Sequence, residues 1–261
     1  MSNLALAVRD SSTMLRRNLL HARRYPSLTL NLLLTPVMLL LLFVYVFGEA
    51  MSAGIGGGDR SDYIAYIVPG LLLMTIGSTT IGTAVSVSND MTEGIIARFR
   101  TMAIHRGSVL VGHVIGSVAQ SIMSVVLVGA VGVAIGFRSA DATALEWLAA
   151  FGLLVLFTLA LTWIAVGMGL VSPNAEAASN NALPLIFLPL ISSAFVPIDS
   201  MPGWFQPIAE YQPFTPAIET LRGLLLGTEI GHYGWLALVW SVALTALGYF
   251  WATTKFNNDP K

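Results

Sequence analysis

Six stretches of this sequence contain no Asp, Glu, Lys or Arg: residues 25–48, 63–89, 107–137, 147–175, 177–198 and 230–254. No other feature limits the fold so tightly. A helix rises about 1.5 Å per residue and the hydrocarbon core of a bilayer is about 30 Å thick, so roughly 20 apolar residues cross it. Each stretch is that long. The 13 basic and 14 acidic residues are confined to the segments between and beyond them. A soluble domain wets its surface with about 25% charged residues, whereas this chain has 10%. Most of its surface must face lipid.

Hydrocarbon offers no water to backbone N–H and C=O groups, so each stretch must satisfy its own backbone as a helix. The alternating segments of about 10 residues that build a membrane barrel are not seen. The prediction is an all-α polytopic membrane protein, a single domain over 1–261. Its six transmembrane helices fall near 28–47, 64–87, 109–136, 148–171, 181–197 and 234–253, together a bundle over 28–253. The fifth is the shortest and holds Pro184 and Pro189, each of which removes a backbone donor. The first follows a head of about 25 residues, too long for a cleaved secretion signal, and reads as an uncleaved anchor.

Six spans put both termini on one side, and basic residues choose that side. With the N-terminus inside, Arg9, Arg16, Arg17, Arg23, Arg24, Arg98, Arg100, Arg106, Lys255 and Lys261 are cytoplasmic, and only Arg60, Arg138 and Arg222 are outside. The expected location is the cell membrane, with an amphipathic helix over 1–25 and a tail over 254–261 in the cytoplasm. Residues 88–107 form the largest cytoplasmic loop. There Met91, Ile95, Phe99 and Met102 recur at helical spacing, a stripe that needs its own span ends or a partner's groove to rest on. Residues 197–232 form the largest external loop, dense in Pro and aromatic residues. That density is costly in open water and predicts short helices re-entering the outer leaflet, with Trp204 and Tyr211 near the headgroups.

Several chemistries lack their residues. Lys255 and Lys261 are the only lysines, and neither follows a phosphate-binding Gly-rich loop. There is no cysteine, and the four histidines lack metal-ligand spacing, so no catalytic or metal residues are assigned. Only His113 lies in a span, where it reads as a helix-bonding residue rather than a proton carrier. No span holds a carboxylate for an ion-coupled transporter. Gly112/Gly116 and Gly132/Gly136 are spaced for close helix approach on the third span. Net charge is near zero, so nucleic acid is not an expected partner.

The chain resembles the type-2 ABC exporter permeases, most closely the daunorubicin-resistance-like branch. The residues that carry this are Phe195-Val-Pro-Ile-Asp-Ser-Met-Pro-Gly-Trp204-Phe-Gln-Pro-Ile-Ala-Glu-Tyr-Gln-Pro213, then Thr215-Pro216 and Leu221-Arg222-Gly223. Glu93-Gly94-Ile95, Arg98-Phe99-Arg100 and Ile104-His105-Arg106 are similar to the family's coupling helix, with Ala103 where a Pro is common.

The resemblance implies a non-enzymatic permease subunit that exports a hydrophobic or amphipathic, drug- or lipid-like compound. ATP and Mg would be bound by separate ABC ATPase subunits, with no cofactor in this chain. A second copy or a related permease would complete the path, amid membrane lipids. Asp90, Glu93, Gly94, Ile95, Arg98, Phe99 and Arg100 would couple to the ATPase. Phe195, Pro197, Trp204, Pro213 and Arg222 would form the external gate and re-entrant segment. Thr75, Ser78, Thr79, Asn181 and Ser192 are candidates for the substrate path. Export of a polysaccharide-like polymer and a non-conducting assembly or regulatory subunit are the alternative readings.

The orientation is directly testable, because single cysteines can be introduced into this Cys-free chain. With an impermeant thiol reagent on intact cells, labelling is expected at positions 59 and 141 and protection at 98 and 257. The reverse pattern would overturn the orientation.

Overall fold

The computed structural model describes residues 26–48, 60–92, 106–139 and 141–258, and all regular structure among them is helical. In chain order the helices are α1 (Pro26–Tyr45), α2 (Arg60–Thr92), α3 (Arg106–Ala134), α4 (Ala144–Val171), α5 (Ala175–Ala182), α6 (Pro184–Leu190), α7 (Gln206–Tyr211), α8 (Phe214–Leu226) and α9 (Tyr233–Asn258). One 3₁₀ turn covers Ile198–Ser200. Among the described residues, four helices are long and apolar enough to cross a membrane: α2, the part of α3 from Leu110, α4 and α9. The chain is thus a polytopic helical membrane protein.

α2 is the central element. It packs against α1, α3, α4, α5, α6 and α8, and from Ile67 to Gly77 every residue is buried. A helix apolar on all faces belongs inside a bundle. α9 does the opposite. It buries only the stripe Ala237, Ser241, Gly248, Ala252 and Phe256 against its neighbours, while Trp235, Val242, Leu247 and Phe250 face outward. That face suits lipid. α4 begins at a capping box, with the Thr143 N–H donating to Glu146 Oε2 at 2.6 Å and the Glu146 N–H donating to Thr143 Oγ1 at 3.3 Å. Hydroxyls along the bundle, such as Thr75, Thr158 and Thr245, donate to carbonyls one turn back, which satisfies them without water.

Three sequence expectations change. The predicted fifth span, 181–197, is not one helix. Pro184 has no N–H for the Asn180 carbonyl, and the Leu183 N–H takes it instead at 3.2 Å, so α5 and α6 break at Leu183. α6 stops at Leu190, and residues 191–196 form turns. Second, residues 88–92 are the last turn of α2 rather than the start of a separate loop helix, and 254–258 continue α9. Phe256 anchors that extension, buried with Leu110, Trp163, Val166 and Leu170. Third, Gly136 is not a helix-packing glycine. α3 has already ended at Ala134, and Gly136 takes φ +121° in the turn that follows. Its companion Gly132 does meet another helix, at the Val68 side chain. The predicted helix over 1–25, residues 93–105 of the coupling loop and 259–261 lie outside the described residues.

The broken element rests on the backbone of α2 through two glycines. A Cβ added at Gly77 would collide with the Leu185 carbonyl, which Pro189 leaves without its helical donor. One added at Gly70 would sit 2.7 Å from Ala194 Cα. Gly77→Leu is therefore expected to cost on the order of 1–3 kcal/mol by overpacking, read as a lower unfolding temperature in detergent. Gly82→Ala, with open space at its Cβ, should be neutral. Equal thermal stability of the two variants would contradict the packing described.

Candidate functional site

A break in a membrane helix exposes backbone groups that only the protein can satisfy. Here the break at 191–196 is satisfied by side chains from α2 and α8. Tyr66 of α2 donates its hydroxyl to the Ser193 carbonyl at 2.9 Å. Arg222 of α8 donates from Nη2 to the same carbonyl at 2.9 Å and to the Tyr66 carbonyl at 3.1 Å. Its Nε reaches the Tyr66 carbonyl at 3.3 Å, and its Nη1 meets Glu219 Oε1 at 2.5 Å. The guanidinium also lies over the Tyr66 ring, 3.9 Å from the centroid. With the Arg222 side chain 11% exposed, this is a nearly dry arginine that joins three chain segments at one point.

The break is held from its other side by a hydroxyl and amide network. The Ser193 N–H donates to Thr215 Oγ1 at 3.3 Å, and that hydroxyl donates to the Ala209 carbonyl at 2.5 Å. Gln212 Nε2 donates to Thr215 Oγ1 at 3.2 Å, and Gln212 Oε1 accepts from the Phe214 N–H at 3.0 Å. Ser192 Oγ donates to the Pro189 carbonyl at 2.5 Å and accepts from the Ala194 N–H at 3.1 Å. α8 can supply this support because Pro213 starts it and Gly227 ends it in the left-handed region, with its N–H on the Gly223 carbonyl.

The residues expected at an external gate are thus partly brought together. Phe195 is buried beside the break, its ring 4.5 Å from that of Phe43 on α1. Pro213 caps the start of α8 and Arg222 projects from within it, and Pro197 leads into the 3₁₀ turn. Trp204 stands apart, 75% exposed. Tyr66, Gln212, Thr215 and Ser193 were not picked out from the sequence as members of this cluster. The reason is that Tyr66 and Arg222 are 156 positions apart, and no local pattern links them.

The candidate substrate-path residues are scattered. Thr75 and Thr79 are buried inside α2, where Thr79 Oγ1 also bonds Ser121 Oγ of α3 at 2.7 Å. Ser78 Oγ donates to the Thr75 carbonyl, and Asn181 is exposed and bonded to Ser172 Oγ at 3.0 Å. Ser192 belongs to the network at the break. None of the five lines the apolar cavity of about 330 Å³ that opens between α2, α3 and α4, whose walls include Leu72, Val125, Gly129, Phe137, Phe151 and Leu154.

Of the expected coupling residues, only Asp90 falls within the described residues. Instead of facing solvent it is buried, its Oδ2 2.9 Å from His113 Nε2 on α3. His113 is thus a helix-bonding residue.

Comparison with known proteins gives this geometry a context. Residues 10–226 match the ABC-2 type transporter family. The chain is similar to the daunorubicin resistance ABC transporter permease protein DrrB1 of Streptomyces coeruleorubidus, at 29% identity over 86% of this chain and 77% of that one. It is also similar to the probable doxorubicin resistance ABC transporter permease protein DrrC of Mycobacterium tuberculosis, at 26% identity over 72% and 70%. Nodulation protein J of Rhizobium meliloti shares 23% identity over 73% of each chain.

Arg222→Ala would take one of two donors from the Ser193 carbonyl, which keeps the Tyr66 hydroxyl, and would remove the cation from Glu219 Oε1, a loss of about 1.5–3 kcal/mol for a hydrogen bond to a charged group. A clearly lowered unfolding temperature is expected. Arg222→Lys should recover only part of it, because an ammonium cannot reproduce the planar fork. Full stability of Arg222→Ala would contradict the role assigned to the guanidinium.

Proposed function

The chain belongs to the ABC-2 type transporter family, and on that premise we propose that this membrane permease exports a hydrophobic or amphipathic compound of the anthracycline kind. The observation that carries the reading is the similarity to drug-resistance permeases along 86% of the chain. Membrane permeases of this family work with ABC ATPase subunits, and this chain has no phosphate-binding loop of its own. We assign ATP and Mg to the partner, and a second copy or a related permease to the other half of the path. Both termini are placed in the cytoplasm, with α5 and α6 as a broken fifth span and 197–232 re-entering from outside.

In this mechanism, closure of the ATPase subunits moves residues 88–107, and the motion runs along α2 and α3 to the break held by Tyr66 and Arg222. α2 suits this role because it contains residues 88–92 and packs against both α5 and α6. Substrate enters from the inner leaflet or cytoplasm. It leaves on the side of the break, where Phe195, Pro197 and Pro213 lie, with Trp204 exposed beyond them.

The interface to the ATPase is where the reading is most exposed to test. Phe99 and Ile95 would fill a groove on the partner, with Glu93, Arg98 and Arg100 at its rim and Gly94 allowing close approach. Truncating a buried aromatic anchor commonly costs about 2 kcal/mol or more, and rim charges matter less. Phe99→Ala is therefore expected to insert normally, to lose ATPase co-purification and to abolish daunorubicin export, with Glu93→Ala milder. Full export by Phe99→Ala would remove the loop from the mechanism.

A further inference from the structure

The bond between Asp90 and His113 is a different kind of contact from the rest of the α2–α3 seam. Asp90 is 7% exposed and His113 6%. A carboxylate buried to that degree costs several kcal/mol unless it is paired. With the carboxylate ionised, His113 Nε2 carries the proton and donates it to Oδ2 across 2.9 Å. Apolar side chains of the described helices pack beside the pair. Val87, one turn before Asp90, and Leu110 and Val114, on either side of His113, belong to a buried cluster with Trp163, Val166, Leu170 and Phe256. Apolar side chains could hold two helices together there without selecting a register, whereas an acid–imidazole bond has a length and a direction. The bond between Thr79 and Ser121 hydroxyls, at 2.7 Å, lies on the same antiparallel seam farther from the 93–105 segment. The acid–imidazole pair is therefore the polar tie nearer that segment, since Asp90 is two residues from the end of α2 and His113 is two turns into α3.

We propose that Asp90 and His113 are a positioning pair that fixes the separation of the two helix ends flanking residues 93–105, so that force applied between them moves α2 and α3 as one body. The proposal rests on the reading of 88–107 as the element that meets the ATPase. Neither side chain touches substrate or nucleotide in this role; each acts by holding the other's helix. Without the pair the two ends can separate under load, and hydrolysis on the partner is no longer delivered to the far end of α2.

The test uses the complete complex of permease and ATPase subunit, with spin labels on cysteines placed at Thr92 and Arg106, the last residue of α2 and the first of α3. The label-to-label distance is expected to be narrow and unchanged between nucleotide-free and vanadate-trapped states. Asp90→Leu and His113→Leu should lose the narrow distribution, and His113→Leu should still bind the ATPase. The exchanged double variant Asp90→His with His113→Asp should restore it. That exchange also decides the matter if the single variants fail to accumulate, since a folded exchange variant with a broad distribution would overturn the proposal. A narrow distribution in the Leu variants would overturn it as well. If Phe99→Ala then still loses the ATPase, the coupling reading survives and only the pair is refuted. If Phe99→Ala keeps the ATPase, the coupling reading falls and the pair's proposed role falls with it.

Discussion

In a bilayer, the backbone of a broken helix has to be satisfied from within the protein, and the rest of this bundle is arranged around that requirement. Pro184 and Pro189 prevent a continuous fifth helix. The turns at 191–196 expose carbonyls that no helix partner can reach. Arg222 meets the Ser193 and Tyr66 carbonyls at once, and Tyr66 adds its hydroxyl. Burying an arginine this way is costly unless its donors are used. Nε and Nη2 find carbonyls, Nη1 finds Glu219, and the guanidinium face finds a ring. α8 exists in that position to deliver it, and the glycines of α2 exist to let the broken element come close enough to be reached.

α2 carries a directional polar contact near each of its ends. Tyr66 lies near its start and Asp90 near its end, separated by about 36 Å along the axis at the usual helical rise. Between them 17 of the 23 residues are buried, with an unbroken buried run from Ile67 to Gly77, so the helix cannot slide without moving its neighbours. A rigid element fixed at both ends by directional bonds transmits displacement better than one held by apolar packing alone. The proposed export cycle makes use of that stiffness.

Much of the fold was legible in the sequence, and the reasons differ by element. Charge-free stretches located α2, α3, α4 and α9 because lipid tolerates charge so poorly. The fifth was read as a single helix since length and hydropathy do not register a missing N–H, although Pro184 and Pro189 marked the place. The extension of α9 to Asn258 escaped notice because Lys255 looks like a solvated end, while the burial of Phe256 that fixes it comes from α3 and α4. Arg222 was legible as a site residue only through its family-like surroundings. Its partners were not, since Tyr66 is 156 positions away. Asp90 and His113 were each noticed separately, and nothing in their spacing joins a loop acid to a span histidine.

The central claim is that this chain moves substrate with energy released on another polypeptide. ATP turnover and ATP-driven daunorubicin uptake into inside-out vesicles can be measured for the permease alone, the ATPase alone and the two together. The account predicts no turnover by the permease alone and uptake only with both. Turnover that follows the pure permease, or undiminished uptake when the partner's ATP site is inactivated, would contradict it.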